Sequence, residues 1–257
     1  MTEKEIRQHL TTKIFGKNIY TFDSLESTNT YAKSLTLENN AEGSLIIAEE
    51  QTAGKGRLKR SWLAEKGKNL TFSIILTPTI LPERIGILSL YAALAVAEAI
   101  ENILPLTPVC KWPNDVLLND KKVCGILSEV VFKSEALYSV IIGIGINVNQ
   151  LIFPNELQEI ATSLFLTTGR SIDRAIFLAK VLERLETLYK IIQNNQTDRI
   201  LRHWKKYCTM FDKKISIEQQ GTILKGTVTG LADDGGLIIQ TNSKNVKVLA
   251  GDIQIIN

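Results

Sequence analysis

The sequence predicts an α+β fold: a mixed, largely antiparallel sheet with helices over residues 1–210, followed by a small β-barrel over residues 211–257. Three observations predict it. Helical and strand-like patterns are mixed without the regular alternation that a doubly wound parallel sheet requires. Residues 107–149 read as strands joined by short turns at Pro113-Asn114-Asp115, Asn119-Asp120 and Lys133-Ser134-Glu135, which is an antiparallel meander. Beyond Met210, about 45 residues hold four or five short strands, separated by polar turns such as Asp233-Asp234-Gly235-Gly236.

The elements follow in order. A short polar helix is expected over Glu3 to Leu10 and a strand over Asn18 to Phe22. Ser27-Thr28-Asn29 then opens a helix running to about Leu37, since a Ser or Thr hydroxyl accepts the orphan N–H groups of a helix start. Gly43 to Ala48 and Leu70 to Leu76 are apolar runs of strand length, and they pin the two ends of the segment between them. Pro82 suits a first helical turn, and Glu83 to Leu104 is a long helix whose alanines permit close packing. The meander ends in a glycine-interrupted strand, Ile141 to Asn149, where Gly143 and Gly145 fall on one face and leave a groove. Helices are expected over Pro154 to Phe165, over Ile172 to Gln193 with an amphipathic stripe, and from a Thr197 cap to Tyr207.

Composition excludes several classes. The 257 residues, 44% hydrophobic and 22% charged, suffice for a large core and look like an ordinary soluble protein. The polar N-terminus lacks a signal-peptide core, and no uninterrupted apolar run reaches membrane-spanning length, so a cytoplasmic protein without a membrane partner is expected. Three widely spaced cysteines and two histidines favour reduced thiols and give no zinc site.

Charge is concentrated in Gln51 to Asn69, QTAGKGRLKRSWLAEKGKN. Six cations against Glu65 give this stretch +5, while the whole chain carries only +3. Gly54, Gly56 and Gly67 disfavour helix there and let backbone N–H groups approach a ligand, so the segment reads as an anion-handling loop.

Four segments in this order resemble biotin protein ligases: STN at Ser27 to Asn29, QTAGKGRLKRSW at Gln51 to Trp62, KWPND at Lys111 to Asp115, and GIGINVN at Gly143 to Asn149. KVCGILSE at Lys122 to Glu129 and ATSL at Ala161 to Leu164 fit the same pattern. The resemblance implies a class II synthetase-like catalytic domain with an SH3-like C-terminal barrel. It implies ATP-dependent activation of biotin to biotinyl-5′-AMP, release of pyrophosphate, and transfer to a lysine of a biotin carboxyl carrier domain of acetyl-CoA carboxylase or a related carboxylase. Some members carry an N-terminal helix-turn-helix; about 16 residues precede the first strand here, too few for that module, so a monofunctional enzyme without a DNA partner is expected. A monomer or homodimer is expected.

The chemistry assigns roles. A carboxylate and a triphosphate must meet, which calls for fixed cations at the α-phosphate. Arg57 and Lys111 are the catalytic candidates: Arg57 offers a forked contact, and Lys111 a point charge held extended before Trp112-Pro113. The resemblance places Ser27, Thr28, Asn29, Gln51, Lys55, Gly56, Arg57 and Lys111 around biotin. It places Gly54, Arg57, Trp62, Lys111, Asn114, Gly145 and Asn147 around ATP or the adenylate. Many relatives have arginine where Lys55 stands, so a bidentate contact is not expected from it. Trp62 is large enough either to stack on adenine or to fill the folded loop. Mg²⁺ is expected with ATP, and Asn114 or Asp115 could either approach it through water or serve as turn residues. Two other readings stand beside this one: a lipoate or octanoate ligase of the same architecture, and a basic nucleic-acid-binding protein. Against the second, aromatic residues are not interleaved with the basic ones.

Overall fold

In the computed structural model, the structure describes residues 1–36, 41–133, 136–219 and 222–256. Seven strands form one sheet: β1 (Ile19–Phe22), β2 (Leu45–Ala48), β3 (Leu70–Leu76), β4 (Val109–Lys111), β5 (Asp115–Leu118), β6 (Lys121–Lys133) and β7 (Ala136–Ile146). Their spatial order is β1-β2-β3-β7-β6-β5-β4. β1 and β2 run parallel and the remaining neighbours antiparallel, so the sheet is mixed and largely antiparallel as the sequence predicts.

Among the described residues six helices accompany it: α1 (Glu3–Arg7), α2 (Thr28–Leu35), α3 (Ile87–Ile103), α4 (Leu164–Thr168), α5 (Arg174–Gln193) and α6 (Thr197–Tyr207). One face of the sheet presents Leu45, Ile47, Phe72, Ile74, Ile142 and Ile144 to a core shared with α3, α5 and α6. α3 is buried almost all round. The 22-residue stretch Pro82–Ile103 would be apolar and long enough to cross a membrane, but 72% of its apolar window is buried inside the protein, where its side chains contribute on the order of 1.5–3 kcal/mol each for the larger ones. The other face carries α2, whose Ala32 and Leu35 pack on Ile46, Ile75 and Ile141.

Residues 211 onward form a separate antiparallel sheet: β8 (Lys214–Gln219), β9 (Thr222–Leu231), β10 (Leu237–Gln240), β11 (Asn245–Val248) and β12 (Asp252–Ile255), ordered β11-β10-β9-β8-β12. Its inner residues Ile215, Ile217, Val228, Leu237 and Ile239 join the main core. The turn before β10 docks on the large sheet, where Trp112 Nε1 donates to Gly235 O at 3.0 Å.

Some expectations are corrected. No continuous helix spans 154–165; a 3₁₀ turn at Asn155–Leu157 precedes an extended stretch and then α4. The cause is pairing with β6: Lys122 N donates to Ile160 O and Thr162 N to Lys122 O, which diverts backbone groups a helix would need. Thr197 is the buried first residue of α6 and not its cap, which is Gln196. α1 stops at Arg7, α3 begins at Ile87 after a 3₁₀ turn at Pro82–Arg84, and β7 ends at Ile146, before Asn149. The expected end of α2 near Leu37 and the turn residues Ser134 and Glu135 lie outside the described residues. All three cysteines are free and buried.

Candidate active site

A register row crosses the large sheet: Lys111 pairs with Asp115, Asp115 with Gly125, Gly125 with Gly145, Gly145 with Thr71, and Thr71 with Ala48. Residues in one row share a face, here the face that carries α2. Because Gly125 and Gly145 sit side by side without side chains, the row is hollow at its centre. The hollow is a cleft with about 470 Å³ of atom-free space, walled by the start of α2, the cationic loop, β3, β6 and β7.

The loop covers this cleft as a folded-back hairpin. Gly56 N donates to Arg60 O at 2.7 Å and Trp62 N to Gly54 O at 3.0 Å, with a 3₁₀ turn at Arg57–Lys59 whose Leu58 has φ 54°. The Trp62 indole lies on the glycine pair. A Cβ on Gly145 would stand 2.3 Å from Trp62 Cε2, and one on Gly125 would stand 3.1 Å from Cζ3. Trp62 thus packs on the floor of the cleft and lines it. Its Nε1 is buried with no partner among the described residues.

One end of the cleft is cationic. Arg57 Nη1 donates to Asn114 Oδ1 at 2.8 Å, and Asn114 Nδ2 donates to Ile126 O at 2.7 Å, so the KWPND turn orients the guanidinium. Burial pulls the Arg57 pKa down against the opposing pull of Asp115 and Asp252. The second cation is Lys122, whose Nζ lies 2.7 Å from Asp115 Oδ1 and 5.7 Å from the Trp62 ring centre. A bulge puts it there. The β5–β6 register shifts so that Leu117 pairs with Lys122 while Val116 pairs with Cys124, leaving Val123 as the extra residue. Strict alternation from Gly125 would bring Val123 and Lys121 to the cleft face; the bulge brings Lys122 instead.

The other end is neutral and polar. Ser27 caps α2, its Oγ accepting from Thr30 N at 3.4 Å. Gln51 Oε1 accepts from Thr28 N at 2.7 Å and from Thr28 Oγ1 at 3.0 Å. Asn29 lies across Gly143, where a Cβ would stand 2.3 Å from its Oδ1. Its Nδ2 donates to Glu129 Oε2 at 2.7 Å and to Leu127 O at 3.3 Å.

The structure therefore gathers Ser27, Thr28, Asn29 and Gln51 at one end and Arg57, Asn114, Trp62 and Gly145 at the other, and the loop residues Lys55 and Gly56 line the same cleft. Lys55 Nζ donates to Thr30 Oγ1 at 3.0 Å. Three expected site residues do not line this cleft. Lys111 stands at the edge of the sheet, two strands from Gly125 along the row. Gly54 lines a neighbouring hollow with Lys55, Arg60 and Glu129. Asn147 lies past the end of β7, its N donating to Val123 O at 2.9 Å and its Nδ2 to Thr162 O at 3.0 Å. Two residues were missed: Lys122, concealed by the bulge, and Ser73, which with Thr71 is one of two polar residues in β3. No cluster of three or more His, Cys, Asp or Glu side chains capable of holding a metal occurs among the described residues.

Comparison with known proteins gives consistent matches. Residues 21–147 match the model of the biotin/lipoate A/B protein ligase family, and residues 211–255 match the biotin protein ligase C-terminal domain. The bifunctional ligase/repressor BirA of Bacillus subtilis is 37% identical over 257 residues, covering 99% of this chain and 79% of that protein. The biotin–[acetyl-CoA-carboxylase] ligase of Mycobacterium tuberculosis is 32% identical, covering 82% of this chain and 79% of that one. Among solved structures, a biotin protein ligase from Aquifex aeolicus in complex with biotin and ATP superposes with a TM-score of 0.81 at 31% identity, covering 93% of this chain and 99% of that chain. Both sheets, the order of the motifs and near full-length identity agree: the chain belongs to the biotin protein ligase family.

Proposed function

We propose that this protein activates biotin with ATP to biotinyl-5′-AMP and passes the biotinyl group to a lysine of a biotin carboxyl carrier domain, of acetyl-CoA carboxylase or a related enzyme. The observation that carries this reading is the polarity of the cleft: neutral hydrogen-bonding groups at one end and two cations at the other. Such a cleft suits a ligand with a urea-like head and a carboxylate tail. Ser27, Thr28 and Gln51 face the head, and Lys55 and Gly56 of the loop wall the cleft beside it. In the first step a carboxylate oxygen attacks the α-phosphorus and the bond to the β-phosphate breaks, its electron pair leaving with pyrophosphate. Arg57 and Lys122 stabilise the charge that accumulates there. We assign Lys122 the point-charge role that the sequence suggested for Lys111, because Lys122 lines the cleft beside Asp115. In the second step the acceptor amine attacks the acyl carbon and AMP leaves.

The adenylate is assigned to Trp62, Gly145, Gly54, Asn114 and Asn147. Asn147 Oδ1 is a buried acceptor without a partner among the described residues, the polarity that an exocyclic amine would satisfy. Mg²⁺ would enter with the triphosphate, since that ion is commonly held by one or two carboxylates plus phosphates. Asp115 is the carboxylate at the cationic end, whereas Asn114 is already engaged on both sides of its amide. We assign residues 1–210 to the catalytic unit and 211–257 to a C-terminal unit, a division supported by the separate sheets, and we place the protein in the cytoplasm.

Exchange of labelled pyrophosphate into ATP, with biotin, lipoate or octanoate offered in turn, tests the reading. Biotin-dependent exchange is expected; exchange supported only by lipoate or octanoate overturns it.

A further inference from the structure

Ser73 lies on β3 beneath the head end of the cleft, with no exposed surface, and is opposed across the sheet by Gly143. Its Oγ is 2.6 Å from Asn29 Oδ1 and 2.7 Å from Thr28 Oγ1, and Thr28 Oγ1 is 3.0 Å from Gln51 Oε1. Four oxygens thus form a chain of three short contacts, but Ser73 and Thr28 supply only two hydroxyl hydrogens. The assignment of those hydrogens is decided outside the chain. Glu129 Oε2 and Leu127 O both accept from Asn29 Nδ2, which fixes the amide with Oδ1 toward Ser73. Because Oδ1 can only accept, the single Ser73 hydrogen belongs to that contact. Thr28 must then direct its own hydrogen to Gln51 or back to Ser73, and in either case its oxygen receives none from the protein.

A residue lining the cleft therefore presents an unfilled acceptor. We propose that Glu129, Asn29 and Ser73 act as a polarity relay that keeps Thr28 Oγ1 an acceptor, and so selects a carboxylic acid whose far end carries N–H donors. Ser27 complements this. Its oxygen accepts the cap bond, which directs its hydrogen away from Thr30 N and leaves it for a carbonyl. An acid with an alkyl or dithiolane end leaves the Thr28 acceptor buried and unpaired, which is the basis of strong discrimination between ligands that differ by a donor. Gly143 is part of the device, because a Cβ there would occupy the position of the Asn29 amide. Ser73 and Glu129 act through Thr28 and are positioning residues, not ligands.

The inference rests on the reading of the substrate as biotin, and the experiment separates the two. Pyrophosphate exchange is measured for the wild type, Ser73→Ala and Glu129→Gln, with biotin and ATP varied independently. In Ser73→Ala no hydroxyl remains to fill Thr28 Oγ1, so the acceptor persists, and KM for biotin and for ATP are each expected to stay within about threefold of the wild type. Glu129→Gln lets the Asn29 amide rotate and donate to Ser73, which releases the Ser73 hydrogen to Thr28, and KM for biotin is expected to rise about tenfold while KM for ATP moves less than about twofold. A merely structural defect would move both substrates and kcat together. An unchanged biotin KM in Glu129→Gln, an equal rise in Ser73→Ala, or parallel losses for biotin and ATP, overturns the relay. Absence of biotin-dependent exchange in the wild type overturns the substrate reading instead.

Discussion

Lys122 Nζ sits 2.7 Å from Asp115 Oδ1, on strands whose bulged register turns the lysine toward the cleft. The carboxylate fixes the ammonium at the edge of the space where phosphate charge would accumulate. Lys122→Ala should therefore lower kcat/KM for adenylate formation by about 10²–10³, the range for losing one electrostatic stabiliser. Lys111→Ala, at the edge of the sheet, should cost less than about tenfold. Pyrophosphate exchange by the two purified variants compares them directly; a larger loss from Lys111→Ala would return the role to that residue.

Gly145→Ala places a methyl group 2.3 Å from an indole carbon, far inside any permitted contact. Because Trp62 belongs to a loop and β7 to the centre of the sheet, the loop should yield first. The expected result is a tenfold or greater fall in adenylation with a melting temperature within about 3 °C of the wild type. A matching collapse in melting temperature would show that the sheet had yielded instead.

The loop concentrates positive charge and is held over the cleft by few backbone bonds, those of Gly56 and Trp62 among them. Ligand should order it further, because the adenylate phosphate would neutralise Arg57. Cleavage by trypsin within residues 55–68 should slow at least fivefold in the presence of biotin and ATP. Equal cleavage rates with and without ligand would exclude closure of the loop as part of the cycle.

Glu186 on α5 provides a pH-dependent contribution to stability. Burial raises its pKa, but hydrogen bonds from the backbone N–H groups of Ile14, Lys13 and Phe15 and from Lys190 outweigh that, and the net shift is downward from 4.5. A depressed folded pKa means that this stabilisation is present above the unfolded value and is lost as pH falls through the folded one. Between about pH 5 and 3 the wild type should lose melting temperature more steeply than Glu186→Gln. At pH 7 the variant should be less stable by about 1–3 kcal/mol. Parallel melting curves against pH would remove Glu186 from the acid response.

Much of the site is legible in the sequence because it is written in local chemistry. A serine before a helix, a glycine pair two apart in a strand and a dense cationic loop each announce their position, and the structure brings them to one cleft. What escaped is non-local. Lys122 is two residues from Cys124 in a strand, and alternation gives no hint that Val123 is skipped. Ser73 alternates with Thr71 on the cleft face of LTFSIIL, a polar signal that was available. Its importance, however, depends on which way the Asn29 amide points, and β6 decides that. The break in the expected 154–165 helix has the same origin, since its backbone is claimed by Lys122.

The register row from Ala48 to Lys111 has a further consequence for how the molecule comes into being. Thr71 and Gly145 meet only when the chain between them has been threaded into α3 and the meander, so the cleft floor rests on one of the more distant pairings in the sheet. A one-residue slip of β6 against β7 would turn Leu127 and Glu129 to the helix face and offer Ile126 and Ser128 in their place. Ligand binding therefore reports on correct pairing of β3, β6 and β7 as well as on chemistry.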